Sequence, residues 1–295
     1  KDIDLYPLER DFRLKMGLAP DSGLSALGIA DGLGADQWAE KEFGGAPLGD
    51  KRLSKRLVEC ADAKASQPGR AFSGVAQGDW AAVKGYYRLI DHPDEAAVSM
   101  ENILVPHRER TIRRMKAQQT VLCIQDGSDL DYSSLDRCEG LGVMGSNQTG
   151  AKSMGLHLHS TLTVTPDGLP LGVLNAQCMA PVSRTEEDTR RGCDIPIEEK
   201  ESFSWILGLR DCMEVAKEMP HTRLVSVMDR EADFFELFDE QRRNSTVELL
   251  VRAKHNRSTT EEGKLFDAVK QTEVRARISN SRSPCKWALC HGLRS

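Results

Sequence analysis

The chain has 295 residues, ordinary apolar and charged fractions and a formal net charge of −5, enough for one large domain or two. No apolar run approaches the roughly 18–20 residues that cross a bilayer, and no signal peptide shows at the start, so no membrane partner is expected. Eight cysteines with no CxxC pair fit reduced thiols rather than a disulfide frame, which makes the cytoplasm the expected location.

Residues 1–37 are rich in Gly, Ala and Asp and read as a loose leader; Met16 is a plausible start. From Trp38 to Pro93 the pattern is helical. Leu53, Leu57 and Cys60 recur at helical spacing behind Asp50 as N-cap, and Lys51, Arg52, Lys55 and Arg56 occupy the other faces. In "GDWAAVKGYYRLIDHP" Asp79 is the cap, with Trp80, Val83, Tyr86, Tyr87 and Ile90 as the apolar side. A further helix, "PHRERTIRRMKAQ", carries Arg108, Arg110, Arg113 and Arg114, a possible second basic face.

At Thr120 the period changes. "TVLCIQD" reads as a short strand ending on Asp126, and "GLHLHSTLTVTPDGLPLGVLNAQCMA" as a hairpin turning at Thr165-Pro166-Asp167-Gly168. "IEEKESFSWILGLRDCMEVAKEM" reads as a helix with Phe203, Ile206, Leu207 and Met213 on one side. "RLVSVMD" is a strand ending on Asp229, "EADFFELFDEQRRN" a helix, and "VELLVRAKH" the last strand. Strand, hairpin, helix, strand, helix, strand is the order of a mixed α/β sheet.

Charge divides along the chain: −3 over residues 1–37, +3 over 38–118, −12 over 119–240 and +7 over 241–295. An acidic centre between basic flanks fits a metal-binding acid cluster with arms that hold a polyanion such as DNA. Two strands that each end on an aspartate can bring carboxylates together, and these repel unless they share a proton or a cation. A hard divalent ion, Mg²⁺ or Mn²⁺, answers that and implies work on phosphate esters. Strands also end on Asp for turn and capping reasons.

"QDGSDLDYSS" and "DREADFFELF", each after a strand, resemble the first two acidic motifs of the IS-four insertion-sequence transposases, a DDE family. The likeness extends in order through "WAEKEFGGAPLGDKRLSKRLV", "GDWAAVKGYYRLIDHP", "HSTLTVTPDGLPLGVLNAQ", "PIEEKESFSWILGL" and "LLVRAKHNR". It implies an RNase H-like mixed sheet with flanking helices over 119–257, preceded by a small all-helical DNA-binding domain over 38–118. It also implies Asp126 and Asp229 as catalytic metal ligands, two divalent ions, double-stranded DNA as substrate and a homodimer in a synaptic complex. Lys51, Arg52, Lys55 and Arg56 are the expected DNA contacts of the helical domain, and Arg252, Lys254, His255 and Arg257 those near the scissile phosphate. Arg230, Glu231, Asp233, Asp129 and Asp131 read as capping or loop residues, and His157 and His159 as structural. The family's third acid, a glutamate in a tyrosine-arginine-glutamate-lysine signature, has no match after Lys254. Residues 258–295 read as the start of an insertion and an unmatched tail, so a truncated, inactive copy is expected.

Overall fold

The computed structural model describes residues 37–272, apart from 68–69, 77, 136–137, 147–151, 183–188, 192–193 and 260–262. The expected leader, except Gln37, and the tail beyond Thr272 lie outside the described residues. Those described fall into two compact units. The first is the chain up to Val121 with Leu162–Leu174; the second is Leu122–Thr161 with the chain from Asn175.

The helical part contains α1 (Trp38–Phe43), α2 (Lys51–Ser66), α3 (Phe72–Val75), α4 (Trp80–Ile90) and α5 (Met100–Lys116). Asp50 caps α2, accepting from the Arg52 N–H at 2.8 Å, and Asp79 caps α4 through the N–H groups of Ala81 and Ala82. Each cap satisfies amide donors that a helix start leaves without partners. Leu53 and Leu57 bury their side chains with Ala46, Leu48 and Leu89, and Cys60 packs alongside.

Two helices differ from the sequence reading. On α4 the buried residues are Val83, Gly85 and Leu89, with Tyr86 stacked on Phe72. Trp80, Tyr87 and Ile90 are on the surface, each more than half exposed. The apolar residues of this helix cover more than one face, so composition alone does not show which face is buried. Helix α5 starts at Met100 behind Ser99, whose Oγ accepts from the Asn102 N–H at 3.1 Å. Pro106 therefore lies inside it. A first-turn proline is the usual reading because an interior one removes a helical bond.

A buried charge cluster fixes α1 on α5. Glu42 accepts from Arg114 Nη1 at 2.6 Å and Nη2 at 3.2 Å, and from Arg110 Nε at 3.3 Å. His107 Nε2 accepts from the Val173 N–H at 3.0 Å, so its Nδ1 carries the hydrogen that goes to Glu42 at 2.6 Å. Arg114 Nε also donates to the Leu171 carbonyl at 2.6 Å. Arg114 is 3% exposed, which removes it from any DNA-facing surface, and Arg110 is mostly covered and turned toward Glu42. The second basic face expected on this helix is not formed by these two residues.

The sheet comprises β1 (Thr120–Asp131), β2 (Gly142–Ser146), β3 (Lys152–Val164), β4 (Pro170–Met179), β5 (Arg223–Met228) and β6 (Glu248–Val251). The strand order is β2-β3-β1-β5-β6, and β4 pairs with β3. β2 and β3 are antiparallel and β5 and β6 parallel. The hairpin between β3 and β4 closes at Thr165–Gly168, where Gly168 adopts φ +85°, a left-handed conformation that glycine adopts without strain. Helices α6 (Phe203–Ala216) and α7 (Phe235–Arg243) flank the sheet, and α8 (Leu265–Gln271) follows β6. A helical N-terminal region followed by this mixed sheet is the arrangement of an RNase H-like fold.

β1 is longer than the sequence suggests, and Asp126 lies within it rather than at its end. Val121, Cys123 and Gln125 are buried, whereas the half beyond Gln125 is largely exposed. The apolar alternation stops at Gln125, while the backbone pairing runs on. On α6 the buried set includes Trp205, Ile206, Leu209 and Met213, and Leu207 is 37% exposed.

The Glu42 cluster yields a pH-dependent prediction. Burial would raise the Glu42 carboxyl, but hydrogen bonds from His107 and Arg114 lower it from 4.5 to about 2. A depressed carboxyl stabilises the fold above its unfolded value and loses that contribution as pH falls from about 4.5 toward 2. The shift corresponds to roughly 3 kcal/mol. Glu42→Gln also leaves the buried Arg114 guanidinium without its counter-charge, so a loss of about 3–5 kcal/mol is expected at pH 7. Urea unfolding at pH 7 and pH 3 checks this, and the difference between wild type and variant should narrow at the lower pH.

Candidate functional site

The site begins with a buried amide. Gln125 on β1 is 2% exposed. Its amide donates to His159 Nε2 at 3.0 Å and to the Trp205 carbonyl at 3.2 Å. It accepts from Ser226 Oγ at 3.0 Å and from the Leu209 N–H at 3.2 Å. Gly208 makes room for it, since a Cβ there would come within 2.3 Å of the side-chain amide. Gln125 and Ser226 thus face each other across the neighbouring strands β1 and β5. Side chains alternate along a strand. Asp126 is one residue past Gln125, and Asp229 is three past Ser226, immediately after β5. The alternation puts Asp126 on the face opposite to Gln125, and Asp229 follows the end of β5 in extended backbone.

The acids after β5 divide into distinct roles. Asp229 Oδ1 accepts from the Glu231 N–H at 2.6 Å and caps the short turn Arg230–Ala232. Asp233 is buried, with a side chain 3% exposed. It accepts from the N–H groups of Lys254 at 2.7 Å and His255 at 3.3 Å, and pairs with Arg257. Arg257 also lies over the Phe238 ring at 5.6 Å. Asp233 is a structural anchor for the segment after β6, as the sequence reading of packing at this turn has it.

The predicted basic residues form two groups. Lys254 and His255 line a cleft of about 290 Å³ with Lys200, Arg230, Glu231 and Glu236. Arg252, whose N–H bonds the Met228 carbonyl at 3.1 Å, and Arg257 do not line it. In the helical unit, Arg52 and Arg56 line a groove of about 350 Å³ with Arg88, Asp91 and His92. Lys51 and Lys55 do not, and Lys55 reaches Glu59 at 3.9 Å. Arg88 and His92 were missed in the sequence because they belong to another helix and its following turn. Helical spacing relates residues only within one element.

A second set of acids is also absent from the sequence reading. His157 Nδ1 on β3 lies 2.9 Å from Asp129 Oδ1 on β1 and 3.3 Å from Glu201 Oε1, two residues ahead of α6. Asp129 is four residues past Gln125, so it shares the Gln125 face rather than that of Asp126. His159 is structural: it is fully buried, edge-on to Trp205 at 4.6 Å, and held to about 4 by burial and by His157 beside it.

Residues 35–94 match the family model described as Transposase DNA-binding. The match covers α1 to α4 and includes the groove of Arg52, Arg56, Arg88 and His92. It supports a DNA-binding role of the transposase kind. Among the described residues no helix is long and apolar enough to cross a membrane.

Asp233 provides a test of how the cleft is built. In Asp233→Ala two backbone N–H groups and one guanidinium lose their acceptor, which should cost about 2–3 kcal/mol. Hydrogen exchange at Lys254 and His255 should accelerate in step, as checked by amide exchange and by urea unfolding.

Proposed function

We propose that this chain is a cytoplasmic DNA transposase of the DDE type. The helical region binds transposon-end DNA, and Asp126 and Asp229 hold the divalent ion, Mg²⁺ or Mn²⁺, needed to cut it. Two copies would pair the two ends in a synaptic complex. The match of residues 35–94 to a transposase DNA-binding domain carries the reading, and the resemblance of the two acidic motifs supports the chemistry. Two carboxylates, one on β1 and one directly after its neighbour β5, suit a hard cation, and one oxygen of Asp229 is not committed to its cap. An ion bound there would neutralise charge on the attacking and leaving oxygens of an in-line displacement.

The chain's own residues do the positioning. Arg52, Arg56, Arg88 and His92 hold the duplex by its phosphates, and Lys254 and His255, with Lys200 and Arg230, take the strand beside Asp229. Placement matters steeply, since about 1 Å of misplacement costs on the order of 100-fold.

A second reading, a DNA-binding protein without catalysis, is favoured by one observation. Past β6, Asp267 is the sole carboxylate among the described residues, and it lies 3.6 Å from Lys270 on α8. The third acid that the resemblance calls for is therefore not assigned.

Duplex binding measured across salt concentrations tests the shared part of both readings. Arg52→Ala with Arg56→Ala should flatten the slope of log K against log salt by about two. Unchanged affinity and slope would remove this groove from the interface. A nicking assay with Mn²⁺ on transposon-end DNA separates the two readings. Cutting that Asp126→Ala lowers by at least about 100-fold supports the transposase, and binding without cutting supports the second reading.

A further inference from the structure

We propose that Asp129, His157 and Glu201 form a binding site for one divalent transition-metal ion, separate from the Asp126–Asp229 pair. The ion ties β1, β3 and the turn ahead of α6 together. The three donor atoms lie within 4.8 Å of one another. The imidazole nitrogen stands 2.9 Å from one carboxylate oxygen and 3.3 Å from the other. Ligand atoms about 2.0–2.2 Å from a common ion sit roughly 2.8–3.6 Å apart at right-angled to tetrahedral geometry. Both nitrogen-to-oxygen separations fall in that range, and rotating either exposed carboxylate closes the third.

A plain ion pair accounts for less. Nδ1 carries at most one hydrogen, so it can satisfy one carboxylate and not two. Both acids are exposed, 57% for the Asp129 side chain and 59% for Glu201, so either carboxylate can turn onto an ion held by the imidazole. The histidine, by contrast, is held in place. Its side chain is 10% exposed, and its ring lies on Gly127, where a Cβ would come within 2.8 Å of Cε1. The missing side chain at Gly127 leaves space for the ring, whose Nδ1 faces the acids. Such preorganisation suits a ligand. One imidazole with two carboxylates selects Zn²⁺, Mn²⁺ or Co²⁺ over Mg²⁺ and Ca²⁺, which prefer all-oxygen sets.

The sheet separates this site from the catalytic pair. Asp129 shares the face of Gln125, Gly127 and His159, whereas Asp126 projects from the other face. The exposed half of β1 lacks the buried side chains that hold its first half. A metal clamp there would fix the extension against β3 and α6.

The test uses the 295-residue chain, with Co²⁺ as a spectroscopic probe and Zn²⁺ by calorimetry. The wild type should bind Co²⁺ with visible absorption bands that Zn²⁺ displaces, and Zn²⁺ should raise its melting temperature. Asp129→Asn and Glu201→Gln keep size and shape at exposed positions, so each should fold. Each should weaken Co²⁺ binding at this site at least about tenfold and remove the Zn²⁺-dependent rise in melting temperature. Asp126→Asn should retain the bands. Wild-type spectra and affinity in both Asp129→Asn and Glu201→Gln would overturn the proposal. So would loss of the bands in Asp126→Asn alone, or no Co²⁺ binding by the wild type.

Discussion

The sheet depends on one buried amide. Gln125 is almost fully enclosed and can be tolerated there because its donors and acceptor all find partners: His159, Ser226 and the backbone of α6. Each such group left without a partner in the core would cost about 1–3 kcal/mol. That sets the register of β1 against β5 more firmly than apolar contacts could, because aliphatic packing tolerates small shifts and a four-partner amide does not. A slip of β1 by one residue would turn Asp126 inward and expose Gln125. The placement of the acids on the two faces of the strand follows from where this amide is satisfied.

Features with a local cause were legible in the sequence. Asp50 and Asp79 cap the helices the sequence predicts, because a cap needs only a side chain and the two or three amides after it. The turn at Thr165–Gly168 is equally local. What was not legible came from distance or from ambiguity. Glu42 meets Arg114 across 72 positions and His157 meets Asp129 across 28, and no periodicity encodes such pairs. Helix α4 has apolar residues on too many faces, so Trp80, Tyr87 and Ile90 read as core although Val83 and Leu89 are the buried side chains. Strand β1 stops alternating before it stops pairing, so hydrophobic pattern alone ends it early. The acidic stretch after β5 showed that acids cluster there, but not that one caps, another anchors and a third remains on the surface.

That stretch shows how crowded acids coexist. Asp229 faces the amide dipoles of a tight turn, and Asp233 faces two backbone N–H groups and Arg257. Each negative charge meets its own donors, so the acids need not share one cation. The anchored segment then carries Lys254 and His255 to the cleft lined by Arg230 and Glu231. A structural acid thereby determines where basic side chains stand. The same residue-level crowding that suggests a metal is in part an arrangement for holding the backbone.

Burial also sorts the arginines of the helical unit. Arg114 is enclosed with Glu42, and releasing it would strip a buried carboxylate of its two-point partner, a cost no phosphate contact in water would offset. Arg52 is paired as well, to Asp50 at 2.8 Å, but both side chains stand in solvent, at 88% and 41% exposure. An exposed pair of this kind is worth little and is weakened further by salt. Exchanging Asp50 for a phosphate therefore costs the fold almost nothing. A salt bridge does not by itself take a basic residue out of service for DNA. The deciding quantity is how much water either partner gives up, and in this unit Arg52 on α2 stays hydrated whereas Arg114 on α5 does not.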